Sequence, residues 1–136
     1  MARLVVYVLA LTLGVTGGCG QEQVVEDCSQ NKDPDRRIRG CTQIIEREDA
    51  TPIYIAGAYE ARGLAYHKKR DYDRAIADFD KAIELNPDKV GFHISKGISY
   101  IEKRDRERAI AAFRKALEID PSNELAKKGL KLVEQD

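Results

Sequence analysis

Apolar residues recur along the second half of this chain at the spacing of one helix face. Steps of three and four residues separate them, and charged residues fill the positions between, as on helices that cover a core. Two such stripes, 34 residues apart, consist of Ile76, Phe79 and Ile83, then Ile110, Phe113 and Leu117. The pattern predicts an all-α domain. The predicted helices cover residues 34–48, 52–69, 72–85, 87–103, 106–119 and 121–134.

The four prolines predict helix starts, because each follows a residue that can cap a helix. Proline at the first helical position loses no hydrogen bond, and a preceding Asp, Asn or Thr can accept from the free amides of the first turn. The four pairs are Asp33-Pro34, Thr51-Pro52, Asn86-Pro87 and Asp120-Pro121. Asp71 and Asp105 are predicted to cap the helices that begin at residues 72 and 106.

The chain repeats itself with a period of 34 residues. Residues 56–89 and 90–123 align without a gap and are identical at 15 positions. The matched pairs include Gly63 with Gly97, Tyr66 with Tyr100, Ala75 with Ala109, Phe79 with Phe113, Ala82 with Ala116 and Pro87 with Pro121. A fixed period of this length is typical of stacked-repeat architectures, in which each unit buries its apolar face against its neighbour.

The repeated residues resemble the tetratricopeptide repeat, a helix–turn–helix unit. Small residues lie where the two helices approach closely, and aromatic residues fill the core between them. In the first copy these are Gly63, Ala75, Tyr66 and Phe79. The resemblance implies a right-handed superhelical stack of antiparallel helix pairs. Three positions depart from the family pattern: His93 replaces a large aromatic, and Arg62 and Lys96 replace the usual leucine.

The repeat domain is predicted to span residues 34–136. Residues 38–47 align with 76–85, so that Cys41 falls at the place of Phe79, and residues 34–48 are interpreted as the degenerate second half of an earlier repeat. Two full repeats follow. The last helix, 124–135, has the composition of the solvating cap that closes a repeat stack.

The first 18 residues have the pattern of a secretory signal. Arg3 precedes an apolar run over residues 4–16, which is too short to span a membrane. The residues Thr16-Gly17-Gly18-Cys19 resemble a bacterial lipoprotein cleavage site, which implies a lipid on Cys19. The alternative is ordinary cleavage nearby, which leaves Cys19 as a free thiol or removes it. Either way the chain is expected to be exported to the bacterial periplasm, with residues 19–33 as an irregular segment.

Export makes the cysteine count informative. If Cys19 carries the lipid, Cys28 and Cys41 remain as an even pair in an oxidising compartment, and we predict a disulfide between them. The bond would close a loop of about 14 residues, worth about 3 kcal/mol in the chain-entropy model. The spacing of these cysteines also resembles the N-terminal segment of exported bacterial repeat proteins. The alternative is a pair of unrelated buried thiols.

Charge and residue inventory favour a binding role over catalysis. The 23 basic and 23 acidic residues balance and are interspersed, which gives no basis for nucleic-acid binding. His67 and His93 lack partners at metal-ligand spacing, and the cysteines lack the spacing of a zinc site. No cofactor motif and no catalytic constellation is recognised, so no enzymatic activity is expected. An enzyme would need the acidic residues of segment 20–33.

The predicted binding surface is a groove along the first helices of the repeats. Its candidate lining is Glu60, Leu64, His67, Ile94, Ile98 and Ile101. The three isoleucines form a stripe that the repeat core does not need, and it could receive an extended or helical peptide. Alternatively the cap helix covers the stripe through Leu125, Leu130, Leu132 or Val133. The Lys and Asn residues with which some relatives hold a C-terminal carboxylate are absent.

Two functions remain open at this stage. The first is a non-enzymatic adaptor in the bacterial envelope that holds an unidentified protein or peptide and meets a membrane only through a lipid on Cys19. The second is a self-associating structural protein that uses the isoleucine stripe as its interface, because two full repeats make a short stack.

Overall fold

Seven helices make up the part of the chain that the computed structural model describes, residues 16–30 and 32–135, and no strand occurs there. Side chains are described from residue 20 onward. The helices are α1 (Thr16–Ser29), α2 (Pro34–Ile45), α3 (Pro52–Lys68), α4 (Tyr72–Leu85), α5 (Val90–Glu102), α6 (Arg106–Ile119) and α7 (Glu124–Gln135). The predicted all-α fold is confirmed.

The helices stack in chain order as hairpins. Each helix packs against the next, and the first helices of successive hairpins also contact one another, α1 with α3, α3 with α5, and α5 with α7. Hairpins α3–α4 and α5–α6 are the two predicted repeats. Helix α7 closes the stack, and its buried residues, Ala126 and Val133, face the preceding repeat.

Half of the predicted proline starts are correct. Helices α2 and α3 begin at Pro34 and Pro52, with Asp33 and Thr51 as side-chain caps. Helices α5 and α7 begin three residues after Pro87 and Pro121. The reason is that the residue before each of these prolines, Asn86 or Asp120, is the C-cap of the previous helix: its amide donates to the carbonyl four residues earlier. The proline then opens the turn.

The two aspartate caps are confirmed. The Asp71 carboxylate accepts from the amide of Arg74, and that of Asp105 accepts from the amide of Arg108, both at 3.2 Å. Each satisfies a first-turn amide that has no partner within the helix. At α7 this role falls to Asn123, whose side chain accepts from the amide of Ala126 at 3.1 Å.

The prediction of an irregular segment over 19–33 is wrong, because residues 16–29 form helix α1. The apolar residues in this segment do not recur at helical spacing, so the sequence pattern does not predict the helix. Tertiary contacts stabilise it instead: Cys28 and Val24 pack with Cys41, Ile44 and Ala58. Of the predicted signal, residues 1–15 lie outside the described residues, and the predicted boundary after residue 18 remains a prediction.

Helix α1 approaches α2 so closely that one position between them must be glycine. A Cβ atom on Gly40 would lie 2.7 Å from Asp27 Cβ, 2.7 Å from the Cys28 amide nitrogen and 2.9 Å from the Asp27 carbonyl carbon, and the last two atoms belong to the backbone. By contrast, a Cβ on Gly57 of α3 would meet nothing within 4 Å. The two helical glycines therefore form a matched pair for a test.

We expect Gly40→Ala to lower the free energy of unfolding by about 1–3 kcal/mol, because the methyl group overpacks the α1–α2 contact. Gly57→Ala should raise it by about 0.5–1 kcal/mol, because alanine favours the helix and has space there. Urea unfolding followed by circular dichroism measures both. Equal urea midpoints for the two variants would show that α1 does not pack closely against Gly40.

Candidate partner-binding surface

The 34-residue register of the first helices extends through α3, α5 and α7. Residues at the same place in successive helices are buried together. One such set is Ala58, Phe92 and Ala126, and another is Ala65, Ser99 and Val133. Because equivalent positions share an orientation in a regular stack, the set Leu64, Ile98 and Leu132 forms a row across the first helices.

This row is apolar and partly open. The side chain of Leu64 is 39% exposed and that of Leu132 is 55% exposed, while Ile98 between them is half-buried. Leu125, which lies about two helical turns before Leu132 on α7, is also exposed. Large apolar side chains in water carry a free-energy cost that a partner could remove by covering them.

The wider distribution of exposed apolar residues is one-sided. Of the seven large apolar side chains exposed in the described part of the chain, four belong to first helices of hairpins and two to the cap helix α7, which packs against the first helix α5. They are Val25, Ile53, Tyr54, Leu64, Leu125 and Leu132. The seventh, Leu85, ends the second helix α4. The surface formed by α1, α3, α5 and α7, called here the first-helix face, is thus where apolar area remains uncovered.

An apolar cleft of about 380 Å³ opens at the N-terminal end of this face, between α1, α2 and the first half of α3. Val25, Cys28 and Ser29 of α1 form one wall. The opposite wall consists of Ile53, Tyr54, Gly57, Ala58 and Ala61 of α3. Sequence reasoning missed this cleft, because it depended on α1 being a helix.

The structure corrects the predicted isoleucine groove. Ile94 is only 6% exposed and belongs to the core cluster that contains Phe113, Ala126 and Val133. Ile98 and Ile101 pack against the same cluster. The alternative in which the cap helix covers the stripe is therefore the better description, although the covering residues of α7 are Ala126, Leu130 and Val133. Of the three, Ile98 alone extends the open row.

The two polar residues of the predicted groove, Glu60 and His67, contact other parts of the protein. Glu60 is half-buried, and this burial raises the pKa of its carboxyl above the ordinary value. The nearby cations Lys89 and Arg37 oppose the rise without cancelling it. His67 Nδ1 lies 3.0 Å from Ser99 Oγ, and its ring meets Tyr72 edge-on with centroids 5.1 Å apart. Because the Ser99 hydroxyl donates to the Ser95 carbonyl, it accepts from Nδ1–H of His67. His67 thus links α3 to α5.

The three residues that depart from the repeat pattern, Arg62, Lys96 and His93, make polar contacts within the protein. Arg62 donates to both carboxylate oxygens of Asp78 at 2.8 Å and to Thr42 Oγ1 at 2.9 Å, which ties α3 to α4 and α2. Lys96 pairs with Asp80 at 2.6 Å. Asp78 and Asp80 therefore point to different faces of α4, and each serves a cation that replaces a leucine. His93 is buried, with Nε2 2.9 Å from the Pro87 carbonyl oxygen.

No group of three His, Cys, Asp or Glu residues in the described ranges is arranged to hold a metal ion. In the same ranges, every buried side-chain nitrogen or oxygen has a hydrogen-bond partner.

Among the described helices, none has the length and apolar content needed to cross a bilayer.

The structure places Cys28 and Cys41 within bonding distance. Their sulfur atoms are 2.13 Å apart and their Cα atoms 4.6 Å apart, inside the cluster that joins α1 to α2. Both residues are buried. Cys19, the predicted lipid site, lies within α1, but its side chain is outside the described side chains.

Comparisons with known proteins agree with this architecture. A family model for the tetratricopeptide repeat matches residues 60–124. The TPR2B domain of yeast Sti1, determined in complex with pHsp70, is 22% identical, with 85% of this chain and 96% of that chain covered and a TM-score of 0.74. The Arabidopsis OM64 TPR domain is 24% identical, with 85% and 95% covered and a TM-score of 0.72.

The second TPR domain of human RPAP3, determined with the HSP70 peptide SGPTIEEVD, is 23% identical, with 76% of this chain and 82% of that chain covered and a TM-score of 0.68. Among curated proteins, none matches the chain. Residues 60–124 form a tetratricopeptide repeat region, and the described helices have the tetratricopeptide repeat fold. Domains of this fold mediate protein–protein interaction and are generally not enzymes.

Proposed function

We propose that this protein is a non-enzymatic adaptor of the bacterial cell envelope that holds an apolar segment of a partner protein on its first-helix face. The observation that carries the proposal is the one-sided distribution of exposed apolar side chains. Among the second helices only Leu85 is an exposed large apolar residue in the described part of the chain, while the first helices and the cap helix expose leucine, isoleucine, valine and tyrosine. Apolar area exposed on one side of a protein is typical of an interaction site.

The geometry suits a segment that crosses the helices rather than one that enters a deep pocket. The row Leu64–Ile98–Leu132 runs from α3 to α7, and the cleft opens separately between α1 and the first half of α3. A partner with aliphatic side chains at several positions could bury them along the row and place one in the cleft. Extended and helical segments both satisfy this requirement.

The envelope location rests on the N-terminal pattern and the cysteines. A positive start, an apolar run and small residues before Cys19 support export and a lipid on that residue. The proximity of Cys28 and Cys41 is compatible with an oxidising compartment, where a disulfide persists. In this proposal the lipid holds the adaptor at a membrane while the first-helix face receives the partner.

In-cell photocrosslinking tests the proposal most directly. A crosslinking residue is placed at Gly57, where the structure has open space, or at the exposed Leu125, in the full chain. We expect one foreign envelope protein to be captured, and we expect Leu64→Glu/Leu132→Glu to reduce that capture at least tenfold. The reason is that the two carboxylates would lie where the partner's apolar side chains must pack.

The control is Leu85→Glu, because Leu85 is 38% exposed, nearly the same as Leu64, but lies on a second helix. The Leu85→Glu variant should capture the partner to the same extent as the unmodified chain. Ile94→Glu is unsuitable, because it places a charge in the core. Equal capture by all variants would contradict the proposal, and capture of only the protein itself would replace it with self-association.

A further inference from the structure

The cysteine pair occupies the place that an aromatic pair holds in the two full repeats. Cys28 and Cys41 are 13 residues apart. The same separation joins Tyr66 to Phe79 and Tyr100 to Phe113. Cys41, Phe79 and Phe113 are each the eighth residue of their helix, and all three are almost fully buried. Helices α1 and α2 are therefore a third hairpin of the same kind, with two sulfur atoms in place of two aromatic rings.

Apart from that bond and the close backbone contact at Gly40, helix α1 buries few side chains. Cys28 is the one buried side chain among those described on α1, and Val24 is only partly buried. Two polar contacts add to this packing: Arg36 pairs with Asp27 at 2.6 Å, and Arg37 Nε donates to the Cys28 carbonyl at 3.1 Å in a partly buried position. A helix of this length is marginal in water when tertiary packing is weak.

The same helix builds one wall of the apolar cleft. Val25, Cys28 and Ser29 face the side chains of α3 across it. Release of α1 would remove that wall and leave Ile53 and Tyr54 on an open helix surface. The cleft therefore depends on whatever docks α1.

We propose that formation of the Cys28–Cys41 bond is an assembly step that docks α1 and completes the cleft only in an oxidising compartment. In the reduced chain both residues are thiols and α1 is undocked. A disulfide-bearing oxidant accepts two electrons and two protons from the thiols and becomes a dithiol, while the two sulfur atoms join. Because both cysteines are then buried, the access of reductants to the bond is restricted. The purpose of this step rests on the proposed function, but its structural test does not.

Hydrogen exchange followed by mass spectrometry tests the step on the full chain carrying Cys19→Ser, which removes the third thiol. One sample is oxidised, and the other is refolded and kept in reductant. We expect the amides of residues 20–29 to exchange at least tenfold faster in the reduced chain, while those of α3–α6 are unchanged. Cys28→Ala/Cys41→Ala should behave like the reduced chain under both conditions, and Cys28→Val/Cys41→Val tests whether apolar packing can replace the bond.

Protection of α1 in the reduced chain equal to that in the oxidised chain would overturn the assembly step. Loss of protection throughout α3–α6 would also overturn it, because the bond would then stabilise the whole domain rather than α1. The proposed function fails separately: if α1 opens on reduction but the oxidised chain captures no partner from position 57, the assembly step stands and the adaptor role does not.

Discussion

Replacing Phe113 by alanine is expected to lower the free energy of unfolding by about 3–5 kcal/mol, the range typical for removing a fully buried aromatic ring. Phe113 is 1% exposed and lies where three helices meet. A Cβ atom on Gly97 of α5 would be 2.9 Å from its ring, and one on Gly129 of α7 would be 2.5 Å from it. The ring therefore fills the space that both glycines leave, and its loss opens a cavity between α5, α6 and α7.

Urea unfolding measures this change, and the exposed Leu125→Ala provides the control for loss of an apolar side chain without a cavity. The control should change the free energy of unfolding by no more than about 0.5 kcal/mol. Because Phe113 joins the cap helix to the second repeat, α7 should also lose its hydrogen-exchange protection before the other helices do. A Phe113→Ala variant with an unchanged midpoint would show that α7 does not close the stack over this ring.

Replacing Asp78 by alanine is expected to cost about 2–3 kcal/mol, the second largest effect. Its carboxylate is almost buried and receives two hydrogen bonds from Arg62, so the variant leaves a half-buried guanidinium that keeps its hydrogen bond to Thr42 but has lost its carboxylate partner. Fully buried pairs lose about 3–5 kcal/mol when one partner is removed. The Arg62 side chain retains 18% exposure, so water recovers part of that loss.

Two comparisons make the second prediction specific. Adding Arg62→Leu to Asp78→Ala should restore most of the stability, because leucine is the residue that the repeat pattern has at this position and it leaves no charge without a partner. Asp80→Ala removes the partner of Lys96, but its side chain is 45% exposed, and the expected cost is below about 1 kcal/mol. Equal costs for Asp78→Ala and Asp80→Ala in urea unfolding would contradict this ranking.

Both predictions concern features that sequence reasoning could see only in part. The stripe that includes Phe113 was readable, because helix periodicity depends on local spacing and repeats amplify it. The partner of Arg62 was not readable, because Asp78 lies 16 residues away and its orientation depends on how α3 crosses α4. The departures from leucine at Arg62 and Lys96 were the available signal, and they pointed to cations that needed acceptors.

The candidate binding surface was predicted less well than the fold. Leu64 and Ile98 belong to the open row, but Ile94 is core, Ile101 packs against the core, and His67 and Glu60 are engaged or half-buried. Leu132 was named only as a covering residue, although it is 55% exposed. Which apolar residues remain uncovered depends on the distance and the angle between neighbouring helices. The local sequence pattern predicts neither of these two quantities.

The sequence by itself determined the all-α class, the 34-residue period, the helix stripes and the aspartate caps, because each depends on residues within one or two turns or on exact repetition. The tertiary structure alone decided that residues 16–29 form a helix, that a cleft opens between α1 and α3, and that the cap helix covers Ile94. These features depend on contacts between residues that are distant in the chain. Helix α1 shows the reason most clearly: its own residues favour a helix weakly, and its packing against Gly40 and Cys41 supplies the stability that its sequence lacks.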